Sequence, residues 1–548
     1  MYYQEQLWVA KNEKNISIIP KMANRHGLVA GATGTGKTIT LKVLAESFSD
    51  AGVPVFVSDI KGDLSGMSVP GVDSEGMQKR ITKFGLSEAG FTYKSYPTTY
   101  WDVFGEKGHP IRVTISEMGP MLLARILELN ETQEGILDIV FRVADDQKLL
   151  LLDMKDLRAM VAYVGEHAAE YKNTYGNVSS QSIGAIQRAL LKLEDEGANQ
   201  FFGEPALDLK DWLNVDADGR GMIQVLNCEK LFLQPTLYGT FLLWMLSELY
   251  EMMPEVGDLD KPKMVFFFDE AHLIFKDASK AVLEKVEQIV RLIRSKGIGI
   301  YFITQSPTDV PDTILSQLGN RIQHALRAYS PSDQKAVKVA ADTFRANPLF
   351  QTDEVITQLE TGEALVSFLD EKGAPSMVER VHILPPQSLM GPADAALVQQ
   401  MIASSPMAVK YNTAVDRESA YELLAGKADA ARKAQEEAEV TKQQEEAQQE
   451  QAVQEEKEQK ELEKQAKALA AEEAKKQKEI EKAAREKAKE EQEKQKEIER
   501  LAKQILGKSS GGRKKKSTVE KMATSAVNSF GRQAANSLVR GLFGILKK

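Results

Sequence analysis

Gly31-Ala32-Thr33-Gly34-Thr35-Gly36-Lys37-Thr38 fits the pattern G-x-x-x-x-G-K-[ST]. An apolar run, His26 to Ala30, precedes it, and Thr38 to Phe48 comes after it with apolar residues at helical spacing. Strand, glycine loop and helix in that order form the setting in which this pattern cradles phosphates. The glycines let successive backbone N–H groups wrap an anion, and the helix N-terminus adds positive potential. In that setting Lys37 reaches the β- and γ-phosphates and Thr38 holds Mg2+, so ATP and Mg2+ are the expected ligands.

Around this loop, short apolar runs alternate with helical patterns: Gly27–Ala30, Val53–Ser58, Ile111–Ile115, Met222–Leu226, Met264–Phe268, Gly299–Thr304, Arg321–Leu326 and Ala364–Leu369. The alternation predicts an α/β fold of the P-loop NTPase (RecA-like) kind, with a mostly parallel sheet covered by helices. Runs such as Val265 to Phe268, apolar at every position, suit strands buried on both faces. Residues 117–213 instead repeat apolar residues at helical spacing and predict a helical insertion, either a lid or a thickening of the core. The globular region is expected to span 1–390, with 391–426 connecting it to the charged C-terminal region.

Three further strand ends carry polar groups. Met264-Val-Phe-Phe-Phe-Asp269-Glu270-Ala-His272 is an apolar strand closing on two acids. Beside a phosphate loop, Asp269 would hold the magnesium shell and Glu270 would polarise the attacking water. Ile298 to Thr304 is followed by Gln305, which either senses the γ-phosphate or bonds a nearby loop. Asp59, in Ser58-Asp59-Ile-Lys-Gly-Asp-Leu-Ser-Gly66, either lies near the phosphates or forms a turn by bonding its own backbone.

In this order the four motifs resemble the HerA/FtsK superfamily of ring ATPases, over about residues 1–390, and most closely its HerA-like branch, the YjgR-type bacterial ATPases. The resemblance implies a homo-oligomer, most simply a hexamer, that couples ATP hydrolysis to movement of double-stranded DNA. It places Lys37 and Thr38 at the Walker A positions, Asp59 at the acid after the second strand, Asp269 and Glu270 at the Walker B pair and Gln305 at the sensor glutamine. It also implies an arginine acting across a subunit boundary; Arg294, just before the sensor strand, is the first candidate and Arg321 the second. A DExH-type helicase fits poorly despite the letters DEAH at 269–272, because Asp269 lies 232 positions after Lys37.

Charge is unevenly spread along the 548 residues. Residues 1–426 hold 41 Lys/Arg against 56 Asp/Glu, a net of −15, whereas 507–548 hold 10 against 1, a net of +9. Residues 427–506 are built from Ala, Glu, Lys and Gln, and 41 of the 80 are charged, too many for a core of their own. Glu456–Lys460, Glu463–Lys467, Glu472–Lys476 and Glu481–Arg485 set acids four residues before cations, which predicts a long solvated helix or weak coiled coil. Residues 507–518 read as a basic linker and 519–548 as an amphipathic helix, so 427–548 is a candidate site for a protein partner. An ATP-driven scaffold or protein-remodelling module is the alternative function, favoured by the acidic body. No run of 18 apolar residues predicts a membrane span. The single cysteine, Cys228, excludes an internal disulfide framework and predicts a reduced, cytoplasmic setting.

Overall fold

The computed structural model describes residues 1–276 and 280–505; the expected linker 507–518 and amphipathic helix 519–548 lie outside the described residues. Thirteen strands form one sheet: β1 (Tyr2–Tyr3), β2 (Gln6–Lys11), β3 (Asn15–Ile18), β4 (Gly27–Ala30), β5 (Val55–Asp59), β6 (Thr98–Asp102), β7 (His109–Pro110), β8 (Ile223–Asn227), β9 (Met264–Phe268), β10 (Ile298–Thr304), β11 (Asn320–Gln323), β12 (Glu363–Ser367) and β13 (Glu379–Ile383). The order is β1-β2-β13-β12-β11-β4-β10-β9-β5-β8-β6-β7, with β3 against the other side of β2. Every pair from β11 to β7 is parallel. Every pair from β11 through β12, β13 and β2 to β1 and β3 is antiparallel.

Side chains alternate across a strand, and the core obeys that period. Phe266 and Phe268 of β9 join Phe56, Ile300 and Phe302 on one face. Val265 and Phe267 join Val57, Tyr301 and Ile303 on the other. The first face is covered by helices of the 117–213 region, including Glu131–Asp146, Met154–Glu166 and Ser180–Asp195, together with the helix Pro235–Met252. Their apolar residues, among them Leu137, Val140, Leu157, Val161 and Leu190, share one core with the strands, so these helices act as the cover of the sheet. The second face is covered by α1 (Lys37–Asp50), which buries Leu41, Leu44 and Phe48. A second helix on that side, α2 (Glu75–Phe84), starts where the Ser74 hydroxyl accepts from Met77 N at 3.2 Å and stops at Gly85.

One expected strand is absent. Ile111 and Val113 are buried, but Ile115 opens the helix Ile115–Ile126 rather than closing a strand. Thr114 and Glu117 form a capping box there, a start signal that outweighs the β-branched run before it. The expected strand Arg321–Leu326 ends at Gln323.

The chain divides into two compact units, Met1–Lys433 and Ala434–Lys548. Within the second, residues 434–505 are helical, part of the helix Ala420–Ile505. From Val440 to Ile480 its large apolar residues are well exposed, Val440 at 54% and Ile480 at 68%, so nothing within the described chain packs on them. The pairs Glu456–Lys460, Glu463–Lys467 and Glu472–Lys476 close at 2.6, 2.7 and 3.3 Å; Glu481–Arg485 does not close. Among the described residues no helix is long and apolar enough to cross a membrane.

Candidate active site

Four neighbouring strands of the parallel half, β4, β10, β9 and β5, deliver their C-terminal ends to one edge of the sheet. The groups that leave those ends are, in spatial order, the loop Gly31–Gly36, Gln305, the pair Asp269–Glu270 and the turn Asp59–Lys61. Parallel strands bring this about because each returns to the same edge before its crossover.

The glycine loop is held on both sides. Gly31 N donates to Thr304 O at 3.2 Å and Ala32 N to Ala325 O at 2.9 Å. A side chain at Gly31 would meet the His324 Cβ at 2.5 Å, so only glycine fits between β4 and that residue. Gly36, at the start of α1, has φ +117°, which other residues rarely adopt. Thr33 and Gly34 are exposed at the tip, and the Thr35 hydroxyl turns inward to Ala32 O at 2.7 Å. Lys37 Nζ folds back into the loop, donating to Gly31 O at 2.7 Å and Ala32 O at 3.2 Å. Burial lowers the pKa of this ammonium below its ordinary value.

Asp269 is buried, its N–H donating to the Ser58 hydroxyl at 3.0 Å and its Oδ1 accepting from Glu270 N at 2.9 Å. Burial, then the adjoining Glu270 charge, pushes its pKa up to about 6. Glu270 sits at φ +47°, an unusual conformation for a non-glycine residue, and the Asp269 carboxylate braces that turn. Its Oε1 accepts from Lys61 Nζ at 2.5 Å, and its Oε2 lies 3.4 Å from Gln305 Nε2 and 3.3 Å from His272 Nδ1. Burial works against ionisation of Glu270, but the hydrogen bond and charge of Lys61, with Gln305 and Lys37, hold its pKa below the ordinary value.

Of the two readings of Asp59, the turn is the one its hydrogen bonds display. Its Oδ1 accepts from Gly62 N at 2.7 Å and its Oδ2 from Leu64 N at 2.9 Å, so both oxygens face the loop that carries Lys61. Burial pushes its pKa up to about 6. Arg321, the second arginine candidate, is engaged within the chain. Its guanidinium donates to the carbonyls of Leu315, Leu318 and Thr343, each at 2.9 Å, and braces β11 against the segment that follows β10. Arg294 is exposed, in the turn Ile293–Lys296 that precedes β10. It therefore lies at the far end of a seven-residue strand from Gln305, roughly 20 Å from its own phosphate loop at ~3.3 Å per residue.

Two groups at this edge had no sequence motif to announce them, and a third, His272, stood in the quoted strand without an assigned role. Lys61 lies two residues after Asp59, but its partner Glu270 is 209 positions away. His324 Nδ1 donates to Glu363 O at 2.9 Å and its Nε2 accepts from the Thr40 hydroxyl at 2.8 Å, tying β11 to α1. Burial holds its pKa down to about 4, so the ring is neutral as these bonds require. His272 meets Glu270 only because the backbone turns sharply between them.

The Thr38 hydroxyl and Asp269 carboxylate are hard oxygen donors of the kind Mg2+ takes. Among the described residues no cluster of three or more His, Cys, Asp or Glu is assembled to hold a metal by itself. That donor set fits an ion completing its coordination with phosphate and water.

The family model described as "Helicase HerA-like C-terminal" matches residues 4–476. The chain belongs to this HerA-like family. Among curated relatives, the HerA-like chain is 21% identical over 363 residues to the DNA double-strand break repair helicase HerA of Sulfolobus acidocaldarius, covering 63% of this chain and 62% of that protein. It is 23% identical over 366 residues to HerA of Sulfurisphaera tokodaii, covering 62% of each. The HerA-like chain thus spans about three fifths of the length of these relatives. A solved structure of the bacterial conjugative coupling protein TrwB aligns with a TM-score of 0.48 at 15% identity, covering 69% of this chain and 89% of that one.

Proposed function

We propose that this chain is a Mg2+-dependent ATP hydrolase that drives movement of double-stranded DNA. The observation that carries it is the convergence of a glycine phosphate loop and a buried Asp-Glu pair on one sheet edge, in a chain of the HerA-like family. The two HerA relatives are named as DNA double-strand break repair helicases, which supports DNA as the polymer.

In this reading the backbone amides of Gly31–Thr38 wrap the phosphates. Lys37 exchanges its bonds to Gly31 and Ala32 for phosphate oxygens, a change that restores charge partners to a buried ammonium. Mg2+, held by Thr38 and Asp269, supplies charge neutralisation on the phosphates. Glu270 accepts a proton from water as the water oxygen bonds the γ-phosphorus and the bond to the ADP oxygen breaks. Its carboxylate is held ionised by Lys61 and aimed by Gln305, with the His272 ring beside it. Asp59 supports Lys61 through the turn.

Arg294 is exposed and remote from its own loop, which suits a group presented to the neighbouring subunit of a closed ring, a hexamer by the family resemblance. An arginine in that position can contribute on the order of a thousandfold in rate. The residues 427–548 are proposed as a partner-docking arm. A protein-remodelling role is the second reading, favoured by the net charge of −15 over residues 1–426, which repels DNA from the outer surface.

Lys37→Ala is expected to abolish ATP binding or turnover. Glu270→Gln is expected to bind ATP and hydrolyse it at least about a hundredfold more slowly, the scale of a lost general base. Equilibrium ATP binding and steady-state phosphate release check both, and full activity in either variant rejects the assignment.

A further inference from the structure

A cleft of about 230 Å³ opens beside the first turn of α1. Gly36 and Ile39 form one side, Met77 and Arg80 of α2 a second, and Ile383 and Pro385 a third. Met77 and Arg80 share a face because they are three residues apart on a helix whose start is fixed by Ser74.

The third wall is built in advance. Lys42 and Glu46, one turn apart on α1 and both buried, clamp the segment after β13. Lys42 Nζ donates to the carbonyls of Leu389, Met390 and Gly391 at 2.7, 3.1 and 3.3 Å. Glu46 accepts from Gln387 N at 2.8 Å, from Ser388 N at 3.0 Å and from the Ser388 hydroxyl at 2.5 Å. The helix that opens the phosphate loop therefore also holds the far side of the cleft.

Arg80 lies at the edge of that loop. Its guanidinium nitrogens stand 2.9 and 3.0 Å from where a Cβ on Gly362 would be. Gly362 N donates to Thr35 O at 3.1 Å, and Gly362 Cα lies 3.5 Å from the Cβ position of Gly36. Among the described residues the guanidinium has no ion pair or hydrogen-bond partner. A planar cation over apolar walls complements a flat heteroaromatic ring, whose faces are apolar and polarisable.

We propose that this cleft receives the base and ribose of the bound nucleoside triphosphate, with the Arg80 guanidinium stacked on the base. The proposal rests on the phosphate role of Gly31–Thr38. A triphosphate held over the amides of Lys37 and Thr38 must carry its nucleoside past the first turn of α1, and the cleft opens there. Ile39, Met77 and Pro385 enclose the ring, and the clamped segment keeps the slot open before ligand arrives.

The test is calorimetric titration of the full chain with MgATP and with magnesium tripolyphosphate, which lacks the nucleoside. Arg80→Ala is expected to weaken MgATP about tenfold, as for a desolvated cation–π contact, and to leave tripolyphosphate within about twofold. Arg80→Lys is expected to stay several-fold weaker than wild type for MgATP, because an ammonium keeps a cation–π attraction but cannot stack as a plane. Unchanged MgATP affinity in Arg80→Ala, equal losses for both ligands, or full rescue by lysine would each overturn the assignment. A wild-type chain that binds neither ligand would instead reject the phosphate loop itself, and the cleft assignment with it.

Discussion

Glu270 is the most constrained residue of the site, held in a left-handed turn with three neighbours around one carboxylate. Lys61, half-exposed, can be replaced without opening the core. Lys61→Met removes the cation that offsets burial, so the Glu270 pKa rises. A base works only when deprotonated, and the acid limb of the kcat profile therefore moves to higher pH in the variant; an unmoved limb would show that Lys61 does not govern Glu270. His26 offers a second titration, away from the chemistry. Its Nδ1 accepts from Ile300 N at 3.0 Å and its Nε2 donates to Val290 O at 2.8 Å, so protonation would set two N–H groups against each other. Burial holds its pKa down to about 4. The unfolded chain protonates first, near 6.5, so the stability His26 contributes is complete above that pH and is lost as pH falls toward 4. The stability gap between wild type and His26→Asn should shrink over that window, and comparing the two cancels the opposing titration of buried Asp59 and Asp269. A constant gap in urea melts from about pH 7 to about pH 4 would contradict it.

At the scale of elements, much was readable from the chain alone. The glycine loop marked β4, and apolar runs ending in polar residues marked β5, β9 and β10, because strands buried on both faces need no alternation and polarity returns at their ends. The antiparallel wing was not readable. β2 pairs with β13 some 370 positions away through His382 and Lys11, and nothing local in Gln6–Lys11 announces that partner. Lys61, His324 and Arg80 escaped for the same reason: each gains its meaning across the sheet rather than along the chain. The two arginines separate at this scale as well. Arg321→Ala orphans three carbonyls and should lower stability by about 2–3 kcal/mol, read from the urea midpoint, while leaving turnover per folded molecule near wild type. Arg294→Ala should leave stability alone and abolish turnover. Mixing it with Glu270→Gln subunits should restore part of the rate, because each supplies what the other lacks across a boundary; no recovery in proven mixed assemblies would remove Arg294 from the reaction.

At the scale of the molecule the charge distribution sets the conditions for DNA. With residues 1–426 at a net of −15, duplex binding requires cations focused on one surface, and affinity then falls steeply with salt because counterions are released. The residues 507–548, at +9, are the competing source of such cations. Sequence preference is expected to be weak, since translocation uses backbone contacts rather than base edges. The measurement that decides most directly is phosphate release from MgATP, at low and moderate salt, with and without a long duplex of random sequence, by the full chain and by a chain ending at Gly426. Hydrolysis at Glu270 driving DNA through the folded body predicts turnover that the duplex stimulates in both chains, and more weakly as salt rises. Turnover that no nucleic acid alters in either chain would contradict DNA movement and leave protein remodelling as the better reading.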